Sequence, residues 1–512
     1  MGTNAKTVEI YDFSGGRNSN DPEFLVNANQ AIDLQNITLL DKGFKVRRGN
    51  NEFNSSAMVG GSTPIVGLDF MEFNSGTQFL NAVAGTKFFT SSGLSGTMAD
   101  VTGVLTITAG QNNFWTAVHY NDLQIWFGGA PNAPFKYSGS GNGAALGGSP
   151  PSAYTAFVAN NRIFAIGSSS NPSRIQWPIL ADPEDWTGTG SGSQDVQKND
   201  GEALMFGVPL DADTAILFKN SSTHLMPLTK SPFPVYCLQN KIGSAGRYSW
   251  VNVRGTIYFI TPSRRMLSTT DGVNFQKYPD WVNDLWDNIN VDRIKHIVGQ
   301  YYPNEEQIYW INSSGSSTTN NNAIIWDLRR NCWLYNPTGF KANTSCLAIN
   351  RRLFTGHYNG KVYEQDVSAQ YTDESEASPF TIDGYWQTPW LKLSTLAGIV
   401  YPHWIDVSCL SESAGNVIIS YGFDFQTDQK SATKTIAGSA AQWDVAQWDV
   451  DVWGGQTSVK ARVFTRGKGM NFGIKIRHTG TTGGLTVQGI STRVGTDSPG
   501  KILLVKQLTE AA

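Results

Sequence analysis

Acidic residues in pairs are the first groups to weigh for chemistry, because hydrolysis of a glycosidic bond needs two carboxylates placed across it. Three short runs supply such pairs: PEDW at Pro183–Trp186, NEEQ at Asn304–Gln307 and DESE at Asp373–Glu376. None stands in a distinctive catalytic setting. Five arginines (Arg162, Arg174, Arg254, Arg264 and Arg265) invite comparison with a sialidase-type triad, but no spacing selects three of them. There is no G-x-S-x-G nucleophile turn and no G-x-x-x-x-G-K-[ST] phosphate loop. The glycine-rich GNGAALGG at Gly141–Gly148 has no strand and helix to frame it, and reads as a flexible loop. His119, His224, His296, His357, His403 and His478 are scattered, without H-E-x-x-H or Cys/His zinc spacing. These patterns predict no catalytic residue, no metal and no cofactor.

A second group of residues points to contacts rather than reactions. Arg47 and Arg48 sit side by side before a glycine, and guanidinium forks match carboxylates on a partner. As strand-end charges they would simply face solvent. Trp443, Trp448 and Trp453 fall in AQWDVAQWDVDVWGG, which repeats AQWDV and ends in DVWGG. Three tryptophans with acidic neighbours suit a sugar platform, an interface anchor or an aromatic cap on a loop. These five residues are the candidate partner contacts.

The elements that would position them read as strands. Aromatic residues are abundant, with 16 Trp and 26 Phe, and 52 glycines serve turns. Short apolar runs follow polar turns again and again. Their anchors are Phe79, Ile125, Phe164, Leu217, Tyr258, Tyr309 and Phe354. The anchors recur every ~40–50 residues, the interval of a propeller blade. A blade buries little alone, so blades must pack radially into a continuous core. The chain is predicted to be all-β, a β-propeller of about six or seven irregular blades followed by a β-sandwich-like domain. The seventh blade could be partial and closed by an N-terminal strand. The division predicted is an N-terminal strap with an opening strand at 1–58, the propeller at 59–368, a linker at 369–380 and the sandwich at 381–512. STTDGVNF at Ser268–Phe275 approximates an Asp-box, in which Asp271 would accept backbone N–H bonds and Phe275 would plug the blade. Gln30–Asn36 and Val291–Val298 are expected to be short helices.

Charge and hydropathy narrow the class further. A formal net charge of -3 without a Lys/Arg block argues against a protein that grips nucleic acid. No apolar run reaches the ~18 residues of a membrane span, and the N-terminus lacks the apolar stretch of a secretion signal. Cys237, Cys332, Cys346 and Cys409 form no framework and read as free thiols.

The opening segment carries a resemblance. F-x-G-G, then Asp-Pro, an apolar pair, NQA-x-D-L-Q-N, a Gly turn and R-R-G run from Phe13 to Gly49. This order resembles the start of phage tail-nozzle and packaged-DNA-stabilisation proteins, the tail tubular protein B group of short-tailed phages among them. The matching residues are Gly15, Gly16, Asp21, Pro22, Leu25, Gln30, Ala31, Leu34, Asn36, Gly43, Arg47, Arg48 and Gly49. Similar proteins place Pro-Gly before the Gln; here Ala28-Asn29 stand there. RIQWPILADPEDWTG at Arg174–Gly188 is similar to a segment of the same group's propeller. The resemblance implies a virion protein of the tail, assembled in the host cytoplasm. It implies a hexameric ring below the portal and adaptor that continues the DNA channel, retains the genome and carries fibres or spikes. Double-stranded DNA would pass without specific contact. In that setting Ile32, Leu34 and Ile37 are expected to dock on a blade, and Arg47 and Arg48 to meet an adaptor or a neighbouring subunit. The alternative is a receptor-binding or glycan-degrading tail protein whose tryptophan loop takes the ligand.

Overall fold

The computed structural model describes residues 5–60, 63–376, 380–392, 398–411, 415–426, 430–436, 459–481 and 483–496. Seven four-stranded antiparallel sheets make the propeller. Their innermost strands are Ile65–Glu72, Thr116–Tyr120, Thr155–Ala159, Leu204–Pro209, Trp250–Val253, Val298–Tyr302 and Ala342–Leu347. All seven periodic anchors fall on the second strand of successive blades, from Gln78–Ala84 in blade one to Leu353–His357 in blade seven. These second strands are flanked on both sides, which explains why they read as nearly unbroken apolar runs. Gln307–Asn312 of blade six, for example, is buried at every position.

The polar turns before those runs have a stereochemical purpose. Asn121-Asp122 and Asn160-Asn161 all adopt positive φ, between 44° and 60°. Two such residues in sequence form the hairpin turn whose twist matches the strands. Aromatic side chains then fill the wedges between blades. Phe206 of blade four lies 4.5 Å from Phe218 and 4.8 Å from Trp250 of blade five, stacked on both. Each such pair adds about 0.5–1.5 kcal/mol beyond the area it buries.

Six blades are built from consecutive strands. The seventh takes its outer strand from the N-terminal segment, where Asn51–Glu52 pairs with Val362–Glu364. This closure is where a circular fold joins its ends, since a strand from before blade one completes the last blade.

Beyond the propeller, two sheets pack as a sandwich. One contains Ile37–Leu39, Phe44–Val46, Leu485–Thr496, Val400–Ser411 and Val459–Phe464, with Lys6–Ile10 also on Leu485–Thr496. The other contains Asp33–Gln35, Gly384–Gln387, Asn471–His478, Gly415–Phe423 and Lys430–Ile436, with Leu391–Lys392 also on Asn471–His478. Phe13, Phe44 and Trp386 meet between the sheets at 5.3–5.7 Å.

The strap meets the expectation in part. Leu34 pairs with Trp386, and Ile37 with Val46, as strands of the sandwich sheets, and both of these strap strands also lie against the outer strand Cys332–Asn336 of blade six. Ile32 packs with Val26 and Trp390. The apolar residues of Gln30–Asn36 are spaced two apart on an extended chain, which suits a strand and not the expected helix. The strap also touches blade six through its backbone: Asn36 N–H donates to the Tyr335 carbonyl at 2.9 Å. Val291–His296 is helical as expected, in the tighter 3-10 form. The acidic segment placed in the linker carries a short strand, Thr372–Asp373, paired with Phe380–Thr381.

Candidate functional site

Arg47 follows the strand Phe44–Val46, where the strap leaves the sandwich and turns toward blade seven. Gly49 N–H bonds the Gln370 carbonyl there, which draws the acidic segment alongside. The result is a closed clasp. Arg47 Nη1 and Nη2 grip both carboxylate oxygens of Asp373, at 2.9 and 2.5 Å. Nε donates to Asn36 Oδ1 at 2.9 Å, and the remaining donors reach Thr338 O, Thr338 Oγ1 and Arg48 O. Arg47 is 7% exposed and Asp373 0%. A guanidinium with all its donors engaged has nothing left for an adaptor, so the expectation that Arg47 is a partner contact is corrected: its partner is in its own chain.

Arg48 differs. Its side chain is half-buried and lines a cleft with Thr38, Tyr302, Glu305, Tyr309 and Asp366. Tyr302 Oη donates to Asp366 at 2.8 Å, and Glu305 is held by Lys45 at 3.0 Å. Burial, reinforced by Asp366, raises both tyrosines above the usual phenol range, so they remain hydrogen-bond donors at neutral pH. Tyr309 Oη donates to Gln307 Oε1 at 3.1 Å, so both hydroxyl protons are committed within the protein. The structure thus separates the two arginines that the sequence pairs. Trp443, Trp448 and Trp453 lie outside the described residues.

Further ion pairs tie the strap to the outer face of the propeller. Arg17 bonds Asp284 at 2.8 Å, and Ser19 Oγ donates to the same carboxylate at 2.5 Å. Arg330 of blade six bonds Asp41 at 2.9 Å. Gly16, at φ +64°, lets the strap lie against blade six, where a Cβ would stand 2.6 Å from the Trp333 carbonyl oxygen. Sequence reasoning missed these partners, because Asp373 and Asp284 lie some 270–330 residues from the arginines they bind and no spacing rule spans that distance.

The acidic runs considered for catalysis are engaged in packing. Glu184 holds Lys136 of the preceding blade and the Gly147 N–H, and Asp185 Oδ1 accepts from Thr187 and Gly188 N–H. Glu306 pairs with Arg254 at 2.8 Å, while Glu376 pairs with Lys341. Arg162 donates to Pro178 and Gly190 carbonyls, Arg174 clamps Asp195, and Arg264 and Arg265 reach Asp287. The five arginines are spread over blades three, five and their borders and form no triad. Among the described residues no group of three or more His, Cys, Asp or Glu could hold a metal.

The Asp-box takes the expected form. Asp271 Oδ1 accepts the Val273 and Asn274 N–H groups, each at 2.8 Å, and Thr269 Oγ1 accepts Gly272 N–H at 2.8 Å. Those backbone donors, led by Asn274, lower the Asp271 carboxyl to about 2. Phe275 packs edge-on to Phe259 at 6.0 Å.

No known protein-family model matches the chain, and no curated protein sequence matches it. Solved structures do. The WD40 β-propeller domain of Doa1 is 10% identical, with 62% of this chain and 96% of that chain covered and a TM-score of 0.40. YCF48 bound to D1 peptide is 10% identical over 65% and 98%, with a TM-score of 0.41. YCF48 from Cyanidioschyzon merolae is 7% identical over 62% and 98%, with a TM-score of 0.40. These neighbours share the propeller architecture, which the seven sheets display directly.

Proposed function

We propose that this chain is a structural, non-enzymatic subunit of a phage tail, a nozzle or hub that forms a ring below the portal and adaptor. In this reading it continues the DNA channel, retains the genome and carries fibres or spikes. The observation that carries the reading is the position of the resembling residues. Gly16, Asn36 and Arg47 join the strap to blade six and the segment after it, Leu34 and Gly43 join it to the sandwich, Gly49 draws in the acidic segment through the Gln370 carbonyl, and Gln30 and Ala31 fix the strap's own fold through Asn18, Asn27 and Gly16. A part that must withstand packed DNA gains from such an internal tie. Leu25, from the same group of residues, is 66% exposed beside Phe24 and Phe425, at 55% and 50%. It contributes little to its own fold and is free for a contact between copies. Arg48, half-buried at the surface, is the polar counterpart, suited to a carboxylate of a neighbour.

The test is the oligomeric state of the purified chain, read by mass photometry and negative-stain microscopy. Rings of about six subunits with a central hole are expected, closed by symmetry as such assemblies are. Leu25→Asp together with Phe24→Asp should return the rings to monomers. A stable dimer that hydrolyses glycans would overturn the proposal.

A further inference from the structure

The formal net charge of -3 hides an uneven distribution. Between Val459 and Thr496 the chain carries seven Lys and Arg residues and no Asp or Glu. Lys475 and Arg477 belong to the sandwich sheet that holds Asn471–His478. Lys460, Arg462 and Arg493 belong to the other sheet, on Val459–Phe464 and Leu485–Thr496. Strand alternation turns Val463, Ile405, Ile490 and Val494 of that sheet into the core, and so places the three cations on its outer face.

The pairing register sets the pattern of that face. Trp404 stands between Phe464 on one neighbouring strand and Arg493 on the other. One row along, Asp406 stands between Arg462 and Ser491, and in the next Ser408 faces Lys460. Arg462 clamps Asp406 through Nε and Nη2, each at 2.6 Å, which holds its guanidinium 4.5 Å over the Trp404 ring. In the other direction the register shift between Pro402 and Trp404 keeps Tyr401 on the same face, and Lys468 lies 5.8 Å from its ring centroid. Phe464 is 75% exposed, and Tyr11, 57% exposed, lies over Gly489 at the far corner. The carboxylates here are Asp406, enclosed and matched by Arg462, and Glu9, which bonds Tyr11. Lys460, Lys468 and Arg493 have no carboxylate partner among the described residues.

The face thus interleaves aromatic rings with cations that nothing in the chain neutralises. A surface built for another protein gathers its aromatic residues in a centre depleted of charge. Here the charges stand between the rings, which suits a polymer that offers an anion and a flat face in every unit. Single-stranded nucleic acid is such a polymer: its bases stack on aromatic and guanidinium planes while its phosphates meet Lys and Arg. A duplex keeps its bases stacked on one another and offers the face only phosphates. We propose that the outer face of this sheet binds single-stranded nucleic acid, with Phe464 and the Arg462–Trp404 stack supporting bases and Lys460, Lys468 and Arg493 meeting phosphates. The proposal is independent of the tail-ring reading, since it concerns one sheet of one chain.

The test is fluorescence anisotropy of a labelled oligodeoxythymidylate with the full chain, the strand being longer than the ~4–16 nucleotides such a surface occupies. Saturable binding at near-physiological salt is expected, tighter than to a duplex of the same length and tighter than to polygalacturonate, an acidic polysaccharide without bases. Phe464→Ser should weaken it at least about fivefold through the lost stacking. Arg493→Gln should lower the slope of log affinity against log salt by about 0.7, the loss of one phosphate contact. Both side chains are exposed, so the melting temperatures should hold. Lys277→Gln removes an exposed cation of blade five and should change neither affinity nor slope. Absence of saturation, equal or tighter binding of the duplex or of polygalacturonate, unchanged affinity in F464S, or an unchanged salt slope in R493Q would overturn the proposal.

Discussion

Arg47→Ala is the substitution that most directly tests the architecture. It leaves the Asp373 carboxylate fully enclosed with its charge unmatched, and removes bonds to Asn36, Thr338 and the Arg48 carbonyl as well. Breaking a buried pair from one side costs about 3–5 kcal/mol. Arg47 stands a few residues before the strand that closes blade seven, so the loss should appear as opening of that strand. At about 1.4 kcal/mol per tenfold, the opening becomes roughly two to three and a half orders of magnitude more frequent. Hydrogen exchange reads this directly at Phe53 N–H, which bonds the Val362 carbonyl, and at the pairing of Asn51–Glu52 with Val362–Glu364. Amides in blade three, far from the clasp, act as the internal control. The double variant Arg47→Leu with Asp373→Leu removes both charges and should be milder than the sum of the two single losses. Unchanged exchange in R47A, or strict additivity in the double variant, would refute the assignment of Arg47 as an internal clasp.

Other expectations follow from single features. Asp271→Ala should cost about 1–2 kcal/mol after allowance for solvent screening, seen as a lowered melting temperature. Because the folded carboxyl lies below its ordinary value, that contribution is present above about pH 4 and fades as the pH falls through about 2. Burial holds His224 at about 4 and His296 and His357 at about 3, so the folded protein keeps them neutral where the unfolded chain would protonate them. Their stabilisation is complete above about pH 6.5 and is lost toward pH 3, with a slope of up to about 4 kcal/mol per pH unit for three protons. Thermal melts between pH 7 and 4.5 should show this decline, and His357→Gln should flatten it. Gly16→Ala forces a left-handed residue and a clash on the Trp333 carbonyl. It should cost at least about 1–2 kcal/mol and make the strap sensitive to limited proteolysis near Arg17.

The propeller was legible because its signal is local. A polar turn followed by a doubly covered second strand repeats seven times, and each of Phe79 to Phe354 marks one unit. The Asp-box was legible for the same reason, since its donors and acceptor lie within six residues. The strap was not. Leu34 and Ile37 show that apolar spacing reveals a buried face without revealing which sheet covers it. Arg47 illustrates the same limit for charge: a pair of adjacent arginines says nothing about an aspartate far along the chain.

The pairing of Asn51–Glu52 with Val362–Glu364 also has a consequence for biosynthesis. At about 5–20 residues per second, the ribosome needs roughly 15–60 s to deliver the partner of a strand made about 310 residues earlier. Lys6–Ile10 waits still longer, since its partner Leu485–Thr496 lies about 480 residues further along. During that interval the strap carries unmatched strand edges while blades one to six assemble behind it. Strands made ahead of the propeller are thus placed only after it, and the nascent chain should be most prone to aggregate before residue 364 emerges.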